Sequence, residues 1–96
     1  MAERQSLTPE QIADLTGRLT KGLEEWGYTA TAELEPSGAP GRYRLYVVSK
    51  DFEPLLESER QSVLWRVLKE KWDRDDQLRI TLSLALSEKE AQGIWS

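Results

Sequence analysis

Asp73, Asp75 and Asp76 set three carboxylates within four residues, the densest group of oxygen ligands in the chain. Such a group can hold a hard cation, but a calcium loop also needs a central Gly and a distal Glu, and neither stands at the required spacing. The segment therefore reads as a solvated turn after a helix. Glu24-Glu25 and the pair Glu57 and Glu59 could divide general acid and general base work, which requires that they converge in a pocket. Nothing in their spacing brings them together. The chain has no Cys and no His, which excludes disulfides, thiolate nucleophiles, Cys/His zinc sites and imidazole catalysis. The expectation is a protein that is not an enzyme and has no cofactor or metal of its own.

The net charge of −4 is unevenly spread: residues 1–41 carry −4, residues 42–74 carry +2 and residues 75–96 carry −2. Within the middle segment Arg60, Arg66, Lys69, Lys71 and Arg74 are candidates for a basic face that could meet nucleic acid. A sequence pI near 4.9 works against polyphosphate binding, so a mixed solvated surface is the simpler expectation.

These residues must be positioned by a chain of 96 residues, the size of one small domain. Hydrophobic residues at 39% and charged residues at 31% describe a globular chain rather than a disordered one. The start, Met1-Ala2-Glu3-Arg4, carries no apolar signal segment, and no run approaches the roughly 18 apolar residues of a membrane span. A cytoplasmic location without membrane contact is expected.

Thr8-Pro9-Glu10-Gln11 spells a capping box with Pro at the first helical position. Leu7 and Ile12 stand where a hydrophobic staple closes. Ile12, Leu15, Leu19, Leu23 and Trp26 then form one apolar stripe, and Gly27 marks the stop. Residues 28–35 and 42–48 read as a hairpin around Pro36-Ser37-Gly38-Ala39-Pro40-Gly41, with Tyr43, Leu45 and Val47 on one face and Arg42, Arg44 and Tyr46 on the other. Gly38-Ala39-Pro40-Gly41 matches the Gly-x-x-Gly pattern of RNA-binding KH domains, but there the loop joins helices, not strands. Residues 52–57 fit a short helix. Ser58-Glu59-Arg60-Gln61 reads as a second capping box, opening a helix that buries Val63, Leu64, Val67, Leu68 and Trp72, with Trp65 at the core edge. Leu78, Ile80, Leu82, Leu84 and Leu86 alternate against Arg79, Thr81, Ser83 and Ala85, which predicts a strand with five aliphatics beneath the helices. Ser87-Glu88-Lys89-Glu90 caps a final helix ending near Trp95.

The order is αββααβα, an α+β domain. With its strand–helix–helix–strand crossover, it resembles the class II KH-like layout, and residues at its joints resemble the BolA-like family. Val48-Ser49, Phe52-Glu53 and Glu59-Arg60 ahead of the helix 63–68 carry the resemblance, as does Leu86-Ser87-Glu88-Lys89-Glu90 in place of the family's usual Leu-Thr-Pro-Glu-Glu. It covers about half the chain, from Arg42 to Glu90, and implies one domain over residues 1–96 with a three-stranded mixed sheet and helices on one face.

The family resemblance also implies a partner, a monothiol glutaredoxin with which members jointly hold a two-iron two-sulfur cluster. Their ligands are a histidine near the start of the third strand and a Cys or His in the loop after the first. This chain has Arg79 at the former position and Pro36 to Gly41 at the latter, and Gln61 where Arg-His would place another histidine. Arginine stays protonated and has no lone pair for iron, so no cluster ligation by this chain is expected. The expected function is a non-enzymatic interaction module whose face bearing Arg79, Thr81, Ser83 and nearby Tyr46 meets a protein, either glutaredoxin-like or a second copy of itself. The alternatives are a nucleic-acid-binding regulator and a divergent adaptor that shares the fold alone.

Overall fold

The computed structural model describes the backbone of residues 6–95 and the side chains of residues 6–93. The opening Met1-Ala2-Glu3-Arg4 lies outside them. Helix α1 (Pro9–Glu25) begins with the capping box in place: Gln11 N–H donates to Thr8 Oγ1, and Thr8 N–H donates to Gln11 Oε1. It ends in a Schellman motif, with Gly27 N–H bonded to Glu24 O and Tyr28 N–H to Leu23 O. Gly27 adopts φ +91°, a conformation that glycine enters without strain.

Strands β1 (Thr31–Pro36) and β2 (Tyr43–Val48) pair antiparallel, from Thr31 against Val48 to Pro36 against Tyr43. Below them a single 3-10 turn (Lys50–Phe52) is capped by Ser49. Ser49 Oγ also donates to Thr29 O, and Asp51 Oδ2 accepts from Thr29 N–H, so this turn pins the chain where it enters β1. Phe52 is fully buried and packs on Tyr28 at 5.8 Å between ring centroids. The short helix expected over residues 52–57 is thus a 3-10 turn placed two residues earlier.

Helix α2 (Glu57–Lys71) starts ahead of the expected Ser58 cap, because Glu59 Oε1 reaches back to Leu56 N–H and fixes the first turn there. A one-turn helix α3 (Arg74–Gln77) follows, then β3 (Ile80–Leu86), parallel to β2, and α4 (Glu88–Trp95). The sheet order is β1-β2-β3, which makes β2 central. The mixed three-stranded sheet and the αββααβα order are as expected from sequence. No helix among the described residues is long and apolar enough to cross a membrane.

Leu15, Leu19 and Leu23 of α1, Leu64, Val67 and Leu68 of α2 with its C-cap Trp72, Leu45 and Val47 of β2, Ala85 and Phe52 form one core. Burial of these side chains supplies the main stabilising term, about 1.5–3 kcal/mol for each fully buried large one. Trp72 is anchored further by its indole N–H, which donates to Leu15 O at 2.9 Å. Trp26 departs from the expected stripe: it is the C-cap of α1, 44% exposed, with the Arg66 guanidinium 5.3 Å from its ring centroid.

Candidate interaction surface

Strand β3 presents the opposite face from the one its alternation suggests. Tyr43 pairs with Ile80, but the next residue, Arg44, pairs with Leu82, so Thr81 is an extra residue in a bulge. Ile80 shares the helix-covered side with Tyr43. Beyond the bulge the phase is inverted: Ser83 aligns with buried Leu45 and Ala85 with buried Val47, while Leu82, Leu84 and Leu86 align with Arg44, Tyr46 and Val48 on the side away from α1 and α2. Thr81 stabilises the bulge by donating its hydroxyl to Tyr43 O.

The reason lies in α2. The Trp65 indole N–H donates to Ser83 Oγ at 3.1 Å, and Ser83 Oγ in turn donates to Gln61 Oε1 at 2.9 Å. Ser83 and Ala85 thus take the positions on the helix-covered side that the alternation assigns to leucines. Ser83 is therefore a strut beneath a helix and not a residue of the open face. Ser83→Ala is expected to cost about 1 kcal/mol of stability in urea denaturation by leaving the indole N–H without its acceptor.

The remaining expected partner residues also separate. Arg79 precedes β3, with its Nε 3.4 Å from Asp76 Oδ1, and borders a cleft of about 500 Å³ between α1 and α3 together with Asp14, Arg18 and Asp73. Thr81 serves the bulge. Of the four, Tyr46 alone lies on the open face. Asp73 caps α3 through Asp76 N–H, which accounts for the carboxylate triplet in structural terms. Burial, then the neighbouring Asp73 charge, raises the Asp76 carboxyl above its ordinary value. Among the described residues no three carboxylates converge as a metal site.

The paired glutamates lie apart. Glu25 bonds Lys71 at the C-terminal end of α2, while at its N-terminal end, roughly 20 Å away along the helix, Glu59 caps the first turn and Glu57 accepts from the Gln61 side chain. The basic residues do not gather either. Arg60 is buried, Arg66 lies over Trp26, and Lys71 pairs with Glu25, which lowers the Glu25 pKa and raises that of Lys71. Lys69 and Arg74 remain as exposed cations.

Arg60 seals the outer edge of β3. Its Nη1 donates to Ala85 O and to Glu90 Oε1, and its Nε donates to Leu55 O; beside it Gln61 Nε2 donates to Ser83 O. Two edge carbonyls that an incoming strand would use are thus occupied. Glu90 ties this edge to α4, accepting from Ser87 N–H at 2.7 Å as well as from Arg60. The Ser87 amide first, and Arg60 second, hold the Glu90 carboxyl below its ordinary value. A depressed folded-state pKa contributes stability that is present above the unfolded value and lost as pH falls through the folded one. Wild type is expected to exceed Glu90→Gln in urea midpoint at neutral pH, and the gap to close as pH falls below the carboxylate range.

The sheet face opposite α1 and α2 carries Thr31, Glu33 and Glu35 from β1, Arg44, Tyr46 and Val48 from β2, and Leu82, Leu84 and Leu86 from β3, of which Leu86 is buried. Leu82 is 48% exposed; Leu84, Tyr46 and Val48 are half-buried. No family model matches the chain, and no curated protein or solved structure matches it significantly. The surface must be read from its own chemistry. Sequence reasoning found Tyr46 and missed Leu82 and Leu84, since a one-residue bulge reverses every side chain beyond it.

Proposed function

We propose that this domain is a non-enzymatic, BolA-like interaction module that binds a protein partner on the open face of its sheet. The observation that carries this reading is the exposed Leu82 beside half-buried Leu84 and Tyr46 on the sheet face opposite α1 and α2. Contiguous apolar surface of this kind marks docking sites in soluble proteins. The residues that carry the family resemblance support the fold half of the reading. Ser49 and Glu59 act as caps, Phe52 is core, Arg60 holds the β3 edge, and Ser87 with Glu90 opens α4. All of them build the architecture, so they support the family's scaffold without specifying its chemistry. A glutaredoxin-type protein is the partner the resemblance favours, with any cluster held by ligands from elsewhere than this chain.

The test is titration into a cluster-loaded monothiol glutaredoxin, with complex mass and visible circular dichroism as readouts. The expected result is a complex with an unchanged cluster signal, weakened at least about tenfold by Leu82→Glu because a carboxylate is then buried against apolar surface. A complex with an altered cluster signal would show ligation by this chain. Equal binding by Leu82→Glu would remove the open face from the interaction.

A further inference from the structure

The two edges of the sheet differ. Arg60 and Gln61 occupy the carbonyls of Ala85 and Ser83 at the β3 edge, whereas the backbone of β1 is left to itself at the other. Which groups β1 offers there follows from β2. Tyr43 N–H donates to Arg79 O and Ser49 N–H to Leu86 O, so the backbones of Tyr43, Leu45, Val47 and Ser49 face β3 and those of Arg44, Tyr46 and Val48 face β1. Their partners Glu35, Glu33 and Thr31 face β2 in return, and Leu34, Ala32 and Pro36 turn their backbone groups outward. Thr29 also faces inward, bonded to Ser49 and Asp51, which leaves Ala30 outward. Among the described residues no hydrogen bond reaches the outward groups of Ala30, Ala32 or Leu34.

We propose that the β1 edge pairs antiparallel with the β1 edge of a second copy about a two-fold axis at Ala32, joining the two sheets into one. A second copy fits because the edge is self-complementary in a single register. With Ala32 opposite Ala32, Ala30 of each copy stands opposite Leu34 of the other, every outward N–H and C=O of these residues finds a partner, and the large side chain meets the small one on the α1 side. On the far side Thr31 stands opposite Glu33, and no like charges meet. The neighbouring registers fail. Centring on Glu33 opposes that carboxylate to its copy; centring on Leu34 opposes Glu33 to Glu35 and turns Ala32 toward Pro36, which has no N–H. Centring on Thr31 turns Leu34 toward Tyr28, whose N–H already bonds Leu23 O. Helix α1 permits the approach. It packs on β1 as α2 packs on β3, and Gly22 marks the flank of α1 that meets α2. Helical periodicity puts Ala13, Thr16, Gly17 and Thr20 on the opposite flank, above the free edge. The two-fold axis sets this flank against its copy, and small side chains on both let the helix axes approach to the about 8–10 Å of packed helices.

Sedimentation equilibrium on the full chain up to about 0.5 mM gives its association state, and amide exchange at Ala32 and Leu34 gives the contact. The expected result is a concentration-dependent dimer in which these two amides become protected. Thr31→Glu sets a carboxylate opposite Glu33 on both sides of the axis and is expected to weaken the dimer at least about tenfold. Adding Glu33→Lys turns both contacts into ion pairs and is expected to restore wild-type association or better. Both positions are exposed, so the fold is retained, and an unchanged urea midpoint verifies it. Ala32→Pro removes an outward N–H without touching a bond to β2 and is expected to abolish the dimer. A chain that stays monomeric throughout overturns the inference, as does a dimer that Thr31→Glu leaves intact. A loss that Glu33→Lys does not recover overturns the register and with it the choice of a second copy. A dimer dissolved by Leu82→Glu, with the Ala32 and Leu34 amides unprotected, also overturns it by placing the contact on the sheet face.

Discussion

Arg60→Ala is expected to lower stability by about 2–4 kcal/mol in urea denaturation, a large effect for a residue drawn from the commonest surface types. Arg60 is 6% exposed and holds three acceptors on three different segments: Leu55 O in the loop before α2, Ala85 O on β3 and the Glu90 carboxylate on α4. Glu90 is half exposed, so water replaces its lost partner at small cost. The backbone acceptors decide the outcome, Ala85 O above all, because it lies in the interior where no solvent donor reaches without opening the structure. Arg60→Lys keeps the charge but offers one ammonium where a fork is needed, and is expected to recover less than half of the loss. Amide exchange adds a second readout: α4 and the end of β3 should lose protection before α1 does. A loss below about 0.5 kcal/mol in Arg60→Ala would mean that the edge of β3 is satisfied by other donors.

The same residue shows where sequence reasoning stops. Helix α1 was legible because its signals are local: the Thr8 and Gln11 capping box, the apolar stripe at three- and four-residue steps, and the Gly27 stop all act within a few residues of where they are read. The face of β2 was legible because a central strand alternates without interruption. The face of β3 was not, because its bulge is set by what lies above it. Trp65 requires a small polar residue at Ser83, and that demand comes from 18 residues away. A pattern of five alternating aliphatics carries no mark of such an insertion. Arg60 was likewise read as a solvated cation, since its burial depends on an edge carbonyl 25 residues distant. The start of α2 was misplaced by two residues, because Ser58 resembles a cap, while the bond that forms runs from Leu56 N–H to Glu59. The open face could be found only after these tertiary choices were known. They explain why Arg79, Thr81 and Ser83, adjacent in the pattern, serve a cleft, a bulge and a helix contact.

Two glycines on α1 are expected to respond to the same substitution with opposite signs. Gly17 is exposed and a Cβ there meets nothing within 4 Å, so Gly17→Ala is expected to stabilise by about 0.5–1 kcal/mol through helix propensity alone. Gly22 lies where α1 crosses α2. A Cβ there would stand 2.6 Å from Val67 Cγ1 and 3.0 Å from Lys71 Cγ and Cε. The lysine stem can move, though its ammonium is then drawn from Glu25; Val67 is fully buried and β-branched, with little rotamer freedom to yield. Overpacking of about 1–3 kcal/mol therefore exceeds the propensity gain, and Gly22→Ala is expected to destabilise by about 1 kcal/mol. Gly22→Leu, which must part the two helices, is expected to cost about 2–4 kcal/mol. Pairing Gly22→Ala with Val67→Ala separates close approach from any other cause. The alanine at residue 22 then enters space that the missing valine methyls vacate, so the double variant should be more stable than the sum of the single losses. Strict additivity in that cycle, or a stabilising Gly22→Ala, would place the α1–α2 contact farther apart than the structure has it.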